Sequence, residues 1–162
     1  MAARSAARGA RGAMSASFQF TTASAEETIA CGREMARLLA PPKFLVLRGE
    51  LGAGKTTLVK GIAEGLNAAD AEEVTSPTFT LIHEYEGSLN DKLVRLYHLD
   101  LYRIESEREL ATLGIDDLAG PDTLVLVEWG EKFAGILARA DGEIFIAATG
   151  EDARTITLTL KE

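Results

Sequence analysis

Lys43-Phe-Leu-Val-Leu-Arg48 runs straight into Gly49-Glu50-Leu51-Gly52-Ala53-Gly54-Lys55-Thr56-Thr57, and this junction decides the fold. The first six residues are an apolar run of strand length. From Thr56 to Leu66 the period changes: Leu58, Val59, Ile62 and Leu66 fall on one face of a helix. Between strand and helix lies the pattern G-x-x-x-x-G-K-[ST], in the setting that gives it meaning. Gly49, Gly52 and Gly54 let the backbone curl so that its amides surround an anion. The helix starting near Lys55 aims its free N–H groups and positive dipole end at the same point. Lys55 is then a point charge for the β- and γ-phosphates of a nucleotide, and the Thr56 hydroxyl a ligand for Mg²⁺. Glu50, Leu51, Ala53 and Thr57 complete the expected nucleotide-contacting stretch.

Outward from this junction, Phe18–Thr21 alternates like a short strand. Ser24-Ala-Glu-Glu27 is a capping box that opens an amphipathic helix, and Pro41-Pro42 stops it. Thr80–Tyr85 and Leu93–Leu99 alternate apolar and polar around a turn containing Gly87, Asn90 and Asp91, which predicts an antiparallel hairpin. Ser106–Glu109 opens a short helix. Thr123–Val127 is apolar throughout, as expected of a strand buried on both faces. Glu143–Ala148 and Thr155–Leu160 are late strands. Strands alternating with helices predict an α/β fold, a P-loop NTPase three-layer sandwich whose sheet is mainly parallel with an antiparallel hairpin.

A P-loop nucleotidase needs an acid at the end of a neighbouring strand, to hold Mg²⁺ directly or through water. Glu128, after the fully apolar TLVLV, is the expected Walker B acid, because such a strand belongs beside the P-loop strand. Asp100 ends an alternating strand and reads as a second acid, acting on the water shell of the metal or on the attacking water. Thr75-Ser-Pro-Thr-Phe79 occupies the connection that often senses the γ-phosphate; the alternative is a turn with Phe79 in the core. His83 reads as structural. His98 either orients Asp100 or is an ordinary interior histidine. Trp129 either walls the site or caps the core. Arg103 is a candidate for phosphate or partner contact, and Arg108 a solvated charge at a helix start.

The 162 residues carry 17 Lys+Arg against 25 Asp+Glu, a net charge of −8. An acidic chain is a poor autonomous nucleic-acid binder, since phosphate contacts need a basic face. The single cysteine, Cys31, excludes an internal disulfide and a zinc cluster and suits a reducing cytosol. No apolar run approaches the roughly 20 residues that cross a bilayer. Residues 1–17 hold Arg4, Arg8 and Arg11 and no acid. They are expected to be a disordered extension, or to precede a true start at Met14, although the composition also mimics a transit peptide. A single domain over 18–162 is expected.

Taken in order, GELGAGKTTLVKGIAEGL, TSPTFTLIHEYEG, HLDLYRI, ELATLGIDDL and VEWGEKF resemble the bacterial tRNA threonylcarbamoyladenosine biosynthesis ATPase family, TsaE, over about residues 18–160. SPTF, HLDLYR and VEW discriminate better than the widely shared P-loop. The resemblance implies a small ATPase, weak alone, that works with two partner proteins in placing threonylcarbamoyl on the adenosine beside the anticodon of certain tRNAs. A partner performs the transfer, and tRNA is met only through the complex. The implied roles are Lys55 on the phosphates of ATP, Thr56 and Glu128 on Mg²⁺, and Asp100 as a needed acid. Thr75–Phe79 matches the family's switch-like loop, and the adenine end is implied at Thr22 and at Gly150–Arg154.

Two other classes compete. A stand-alone small-molecule or nucleoside kinase shares the P-loop but needs an acceptor pocket and usually an arginine-bearing lid, whereas residues 111–142 contain only Arg139. A nucleotide-gated binding module with slow hydrolysis overlaps the family function. A GTPase is disfavoured: neither Asn67 nor Asn90 begins an N-K-x-D motif.

Overall fold

The apolar run at the P-loop junction becomes one of seven long strands. They are β1 (Ser15–Thr22), β2 (Lys43–Arg48), β3 (Ile82–Leu89), β4 (Lys92–Asp100), β5 (Thr123–Glu128), β6 (Gly142–Ala148) and β7 (Arg154–Lys161). The structure is a computed structural model; it describes residues 2–3, 7–8, 15–77 and 80–161. The long strands form one sheet in the order β1-β7-β6-β2-β5-β4-β3, with two-residue ladders at Ala2–Ala3 and Ala7–Arg8 pairing with β1. Strand β1 starts earlier than expected. Ser15, Ala16 and Ser17 pair with Lys161, Leu160 and Thr159, so the last three residues of the expected 1–17 extension belong to the strand.

Strand β2 pairs in parallel with β5 and β6, and β5 with β4. The remaining pairings, β3–β4, β6–β7 and β7–β1, are antiparallel. The sheet is therefore mixed, and the expectation of a mainly parallel sheet holds only for its four central strands. The physical reason lies in the alternating strands. In β7, Ile156 and Leu158 are buried while Thr155, Thr157 and Thr159 are only partly covered; in β1, Gln19 and Thr21 are exposed beside buried Phe20 and Thr22. Antiparallel strands tolerate one wet face, whereas parallel strands are normally covered on both.

Leu45 and Leu47 of β2, with Leu124 and Leu126 of β5, pack against α1 (Ala25–Met35) and α2 (Lys55–Gly65). Phe44, Val46, Val125 and Val127 face a second core holding Ile115, Phe133 and Ile136, with α3 (Glu107–Ala111) and α4 (Ala134–Arg139) on that side. Helix α1 is capped as its sequence predicts: the Glu27 amide donates to Ser24 Oγ at 3.1 Å. Helix α4 lies outside the elements expected from sequence, although Phe133, Ile136, Leu137 and Ala140 carry a helical spacing. Cys31 is fully buried, and burial, reinforced by Glu34, pushes its thiol up to about 12, so it is a core residue and no nucleophile.

Helices α1 and α2 touch backbone to backbone at two glycines. A Cβ on Gly61 would lie 2.0 Å from the Ile29 carbonyl oxygen, and one on Gly32 2.5 Å from that of Leu58. Gly61→Ala should therefore lower stability by about 1–3 kcal/mol through overpacking, despite alanine's better helix propensity. Urea denaturation measures it; a variant as stable as the parent would show that the crossing relaxes freely.

Candidate nucleotide-binding site

Three chain segments meet at the carboxyl ends of the parallel strands. The loop after β2 takes Gly52 to φ 79° and Gly54 to φ 105°, left-handed values that glycine adopts without a Cβ clash. Gly54 is the N-cap of α2, so the helix's first amides open beside the curl. The Ala53 amide donates to Glu50 O at 3.0 Å and closes the turn. On the far side, Arg154 donates from Nε to Ala53 O at 2.6 Å and from a terminal nitrogen to Ala153 O at 2.8 Å, fastening the loop to the start of β7.

Lys55 is only 5% exposed. Its Nζ donates to Gly49 O at 2.7 Å and lies 3.9 Å from the centre of the Trp129 ring. A lysine so buried needs compensation, which the carbonyl and the ring face supply in part. Trp129 holds a left-handed φ of 64°, an uncommon conformation for so bulky a residue. Its ring also meets that of Tyr102, centre to centre at 5.2 Å. Trp129 both walls the site and packs on the second core, so the two sequence alternatives hold together.

The pleat and register bring the acids together. Asp100 pairs with Glu128 across β4 and β5, and Leu47 of β2 pairs with Glu128, which therefore ends the strand next to the P-loop strand. Both acids are nearly buried. Asp100 accepts from the Tyr102 amide at 2.9 Å on Oδ1 and from Ser76 Oγ at 3.2 Å on Oδ2. Glu128 Oε2 lies 2.5 Å from His98 Nε2. So His98 engages Glu128 and not Asp100, the partner considered from its place in the sequence.

Lys55, Thr56, Thr57, Asp100 and Glu128 all line one cavity of about 710 Å³, together with Leu51, Gly52, Gly54, Ser76, Tyr102, Arg103 and Trp129. That volume is in the range of small-molecule sites. Gly49, Glu50 and Ala53 border a second hollow of about 350 Å³ behind the loop. Neither cavity takes in Thr22, Gly150 or Arg154. Thr22 Oγ1 is buried 2.8 Å from Thr28 Oγ1, and Gly150 lies under the Arg154 guanidinium, its carbonyl 3.4 Å from it. His83 stands apart from the cavity against Tyr85. Arg108 is exposed in α3. Of Thr75–Phe79, Thr78 and Phe79 lie outside the described residues.

The donors fit a hard cation. Oxygen ligands from the Thr56 hydroxyl and one or two carboxylates suit Mg²⁺, which takes its remaining ligands from phosphate and water. Among the described residues no group of three or more His, Cys, Asp and Glu gathers to cage a metal without them.

Sequence alone did not single out Lys132. From the turn after β5 its Nζ donates to the carbonyls of Leu101, Tyr102 and Ile104, at 3.1, 2.9 and 2.6 Å. All three ammonium hydrogens thus hold the turn that follows Asp100 and supplies its Tyr102 amide. Nothing in the sequence marks a carbonyl acceptor, so no signal announced this. Lys132→Met should lower stability by about 1–3 kcal/mol, the scale of hydrogen bonds to a charged group. Thermal or urea melting checks it; a parent-like melt would mean that water replaces the ammonium at no cost.

The sequence matches the profile of the family described as threonylcarbamoyl adenosine biosynthesis protein TsaE over residues 22–156. The tRNA threonylcarbamoyladenosine biosynthesis protein TsaE of Bacillus subtilis is 42% identical over 141 residues, covering 87% of this chain and 84% of its own length. Its namesake from Treponema pallidum is 38% identical over 135 residues, covering 83% and 95%. Among solved structures, Bacillus subtilis YdiB matches with a TM-score of 0.63 at 34% identity, covering 92% of this chain and 88% of that one. With the profile spanning most of the chain and these relatives matching along nearly their whole length, the chain belongs to the TsaE family.

Proposed function

We propose that this chain is a Mg²⁺-dependent P-loop ATPase, a subunit of the machinery that forms N6-threonylcarbamoyladenosine in tRNA. Its hydrolysis of ATP supports turnover of a transferase complex made with two partner proteins. The observation that carries this function is the meeting of Lys55, Thr56, Asp100 and Glu128 in one cavity, in a chain of the TsaE family. The α/β architecture is then that of the P-loop NTPases, a single domain over the expected 18–162 extended by Ser15–Ser17 of β1, with helices on both sides of the sheet.

Each residue has a role in this proposal. The loop from Gly49 to Thr57 receives the phosphates and Lys55 neutralises them. Thr56 and Glu128 hold Mg²⁺, which when bound supplies charge stabilisation at the phosphates. Asp100 fixes the water side of the site through Ser76 and the Tyr102 amide. The adenine end is proposed at Thr22, Gly150 and Arg154 on the family resemblance. The net charge of −8 argues that tRNA is held by a partner and only indirectly by this chain. No helix among the described residues is long and apolar enough to cross a membrane, and a cytoplasmic location is proposed.

The test measures ATP loss by the purified chain with and without the two partners, then tRNA modification in the reconstituted system. Weak hydrolysis that rises with the partners, and modification that stalls without this chain, is the expected result. Sustained modification in its absence would overturn the function. Phosphoryl transfer to a small acceptor would replace it with a kinase.

A further inference from the structure

His98 lies in β4 with no exposed surface. The strand period places it on the face of Val94 and Leu96, which belong to the core under α1 and α2. Its register partner on β5 is Leu126, also of that core. An aliphatic side chain would suit such a position, and burying an imidazole costs free energy unless its nitrogens are paired. Only one of them is. Nε2 meets Glu128 Oε2 at 2.5 Å, while Nδ1 is buried with no hydrogen-bond partner among the described residues. A histidine present for stability alone would be expected to satisfy both nitrogens. This one accepts an unpaired nitrogen and keeps the bond to the acid.

The same bond divides the two oxygens of Glu128. His98 occupies Oε2, and Oε1 has no hydrogen bond among the described residues. Asp100 differs, since protein donors take both of its oxygens. With Glu128 as a carboxylate, which only accepts, the bond is donated from Nε2.

We propose that His98 is a positioning residue for Glu128: it holds the carboxylate by Oε2 and so keeps Oε1 available to the nucleotide cavity. This rests on the nucleotide function proposed above. Glu128 ends a strand beside Asp100, and an orientation toward that neighbour would set like charges together. A buried imidazole behind it fixes one rotamer, as partners behind metal-binding side chains commonly do.

The test uses the full chain with three substitutions. Glutamine carries an amide that reaches nearly as far as Nε2; asparagine is polar but too short; leucine fills the volume without a donor. Trp129, the only tryptophan, lies on Lys55 and reports nucleotide binding by its emission. His98→Asn and His98→Leu should lower kcat for ATP at least about tenfold, raise the Mg²⁺ concentration needed for half-saturation, and leave nucleotide affinity without metal within about twofold, since the P-loop is untouched. His98→Gln should recover most of the kcat. The comparison of glutamine with asparagine stands even where leucine fails to fold. Folded asparagine or leucine variants with parental kcat, or a glutamine variant no better than asparagine, would overturn the role. A parent inert toward ATP both alone and with the two partners would instead remove the function, and this role with it.

Discussion

Lys55→Ala is expected to lower ATP turnover by about 10²–10³-fold, the scale of losing one preorganised charge from a site of developing negative charge. The geometry explains why the loss is large and local. Nζ is buried, held at 2.7 Å by Gly49 O and placed 3.9 Å from the Trp129 ring centre. One of its three hydrogens is taken by the loop itself, and two are left for phosphate oxygens. The positive charge is thus fixed before nucleotide arrives, so little reorganisation is needed on binding. Removing it also removes the cost of burying an ammonium, so the fold should not weaken in proportion. Two readouts follow. The thermal shift on adding ATP should collapse while the melting temperature of the free protein stays near the parent's. Trp129 emission should change before any ligand is added, because the cation on its ring is gone. Unchanged ATP turnover in a folded Lys55→Ala protein would mean that the cavity is not the nucleotide site.

The P-loop junction was legible because its signals are local. Lys43–Arg48 is the strand expected, and α2 begins one residue before the predicted start. The acids were legible too, as polar residues ending apolar or alternating runs. What each acid touches was not. Period two puts His98 and Asp100 on one face of β4, and along a single strand that suggests an interaction between them. The parallel register with β5 sets Glu128 beside Asp100, two residue pairs beyond Leu126 opposite His98, and the imidazole reaches across the strands. Sheet order was half legible for a similar reason. A fully apolar strand announces two covered faces, but TITLTL announces only one wet face, which either an edge or an antiparallel flank can satisfy. The hairpin turn tightened beyond expectation because Asn90 and Asp91 both adopt positive φ, at 54° and 65°, letting β3 and β4 run up to a two-residue loop.

Glu128→Gln should cost ATP hydrolysis about a hundredfold while nucleotide binding persists, and Asp100→Asn should cost about tenfold. The acids stand side by side at the ends of β4 and β5, so position alone does not rank them. Their hydrogen bonds do. Asp100 has both oxygens engaged, Oδ1 by the Tyr102 amide and Oδ2 by Ser76. It joins the segment holding Ser76 to the turn held by Lys132. An asparagine oxygen can still accept from the amide, so part of that link survives the change. Glu128 has one oxygen on His98 and one with no hydrogen bond among the described residues, so it is the acid with capacity for a further ligand. Glutamine there keeps shape but removes the charge a divalent cation needs. The loss should therefore appear as a weakened Mg²⁺ response in Glu128→Gln, and as a lower kcat with near-parental Mg²⁺ response in Asp100→Asn. Steady-state kinetics across a Mg²⁺ titration separate the two. Should Asp100→Asn lose more turnover and more of the Mg²⁺ response, the acid on the central strand is not the metal ligand, and the two roles exchange.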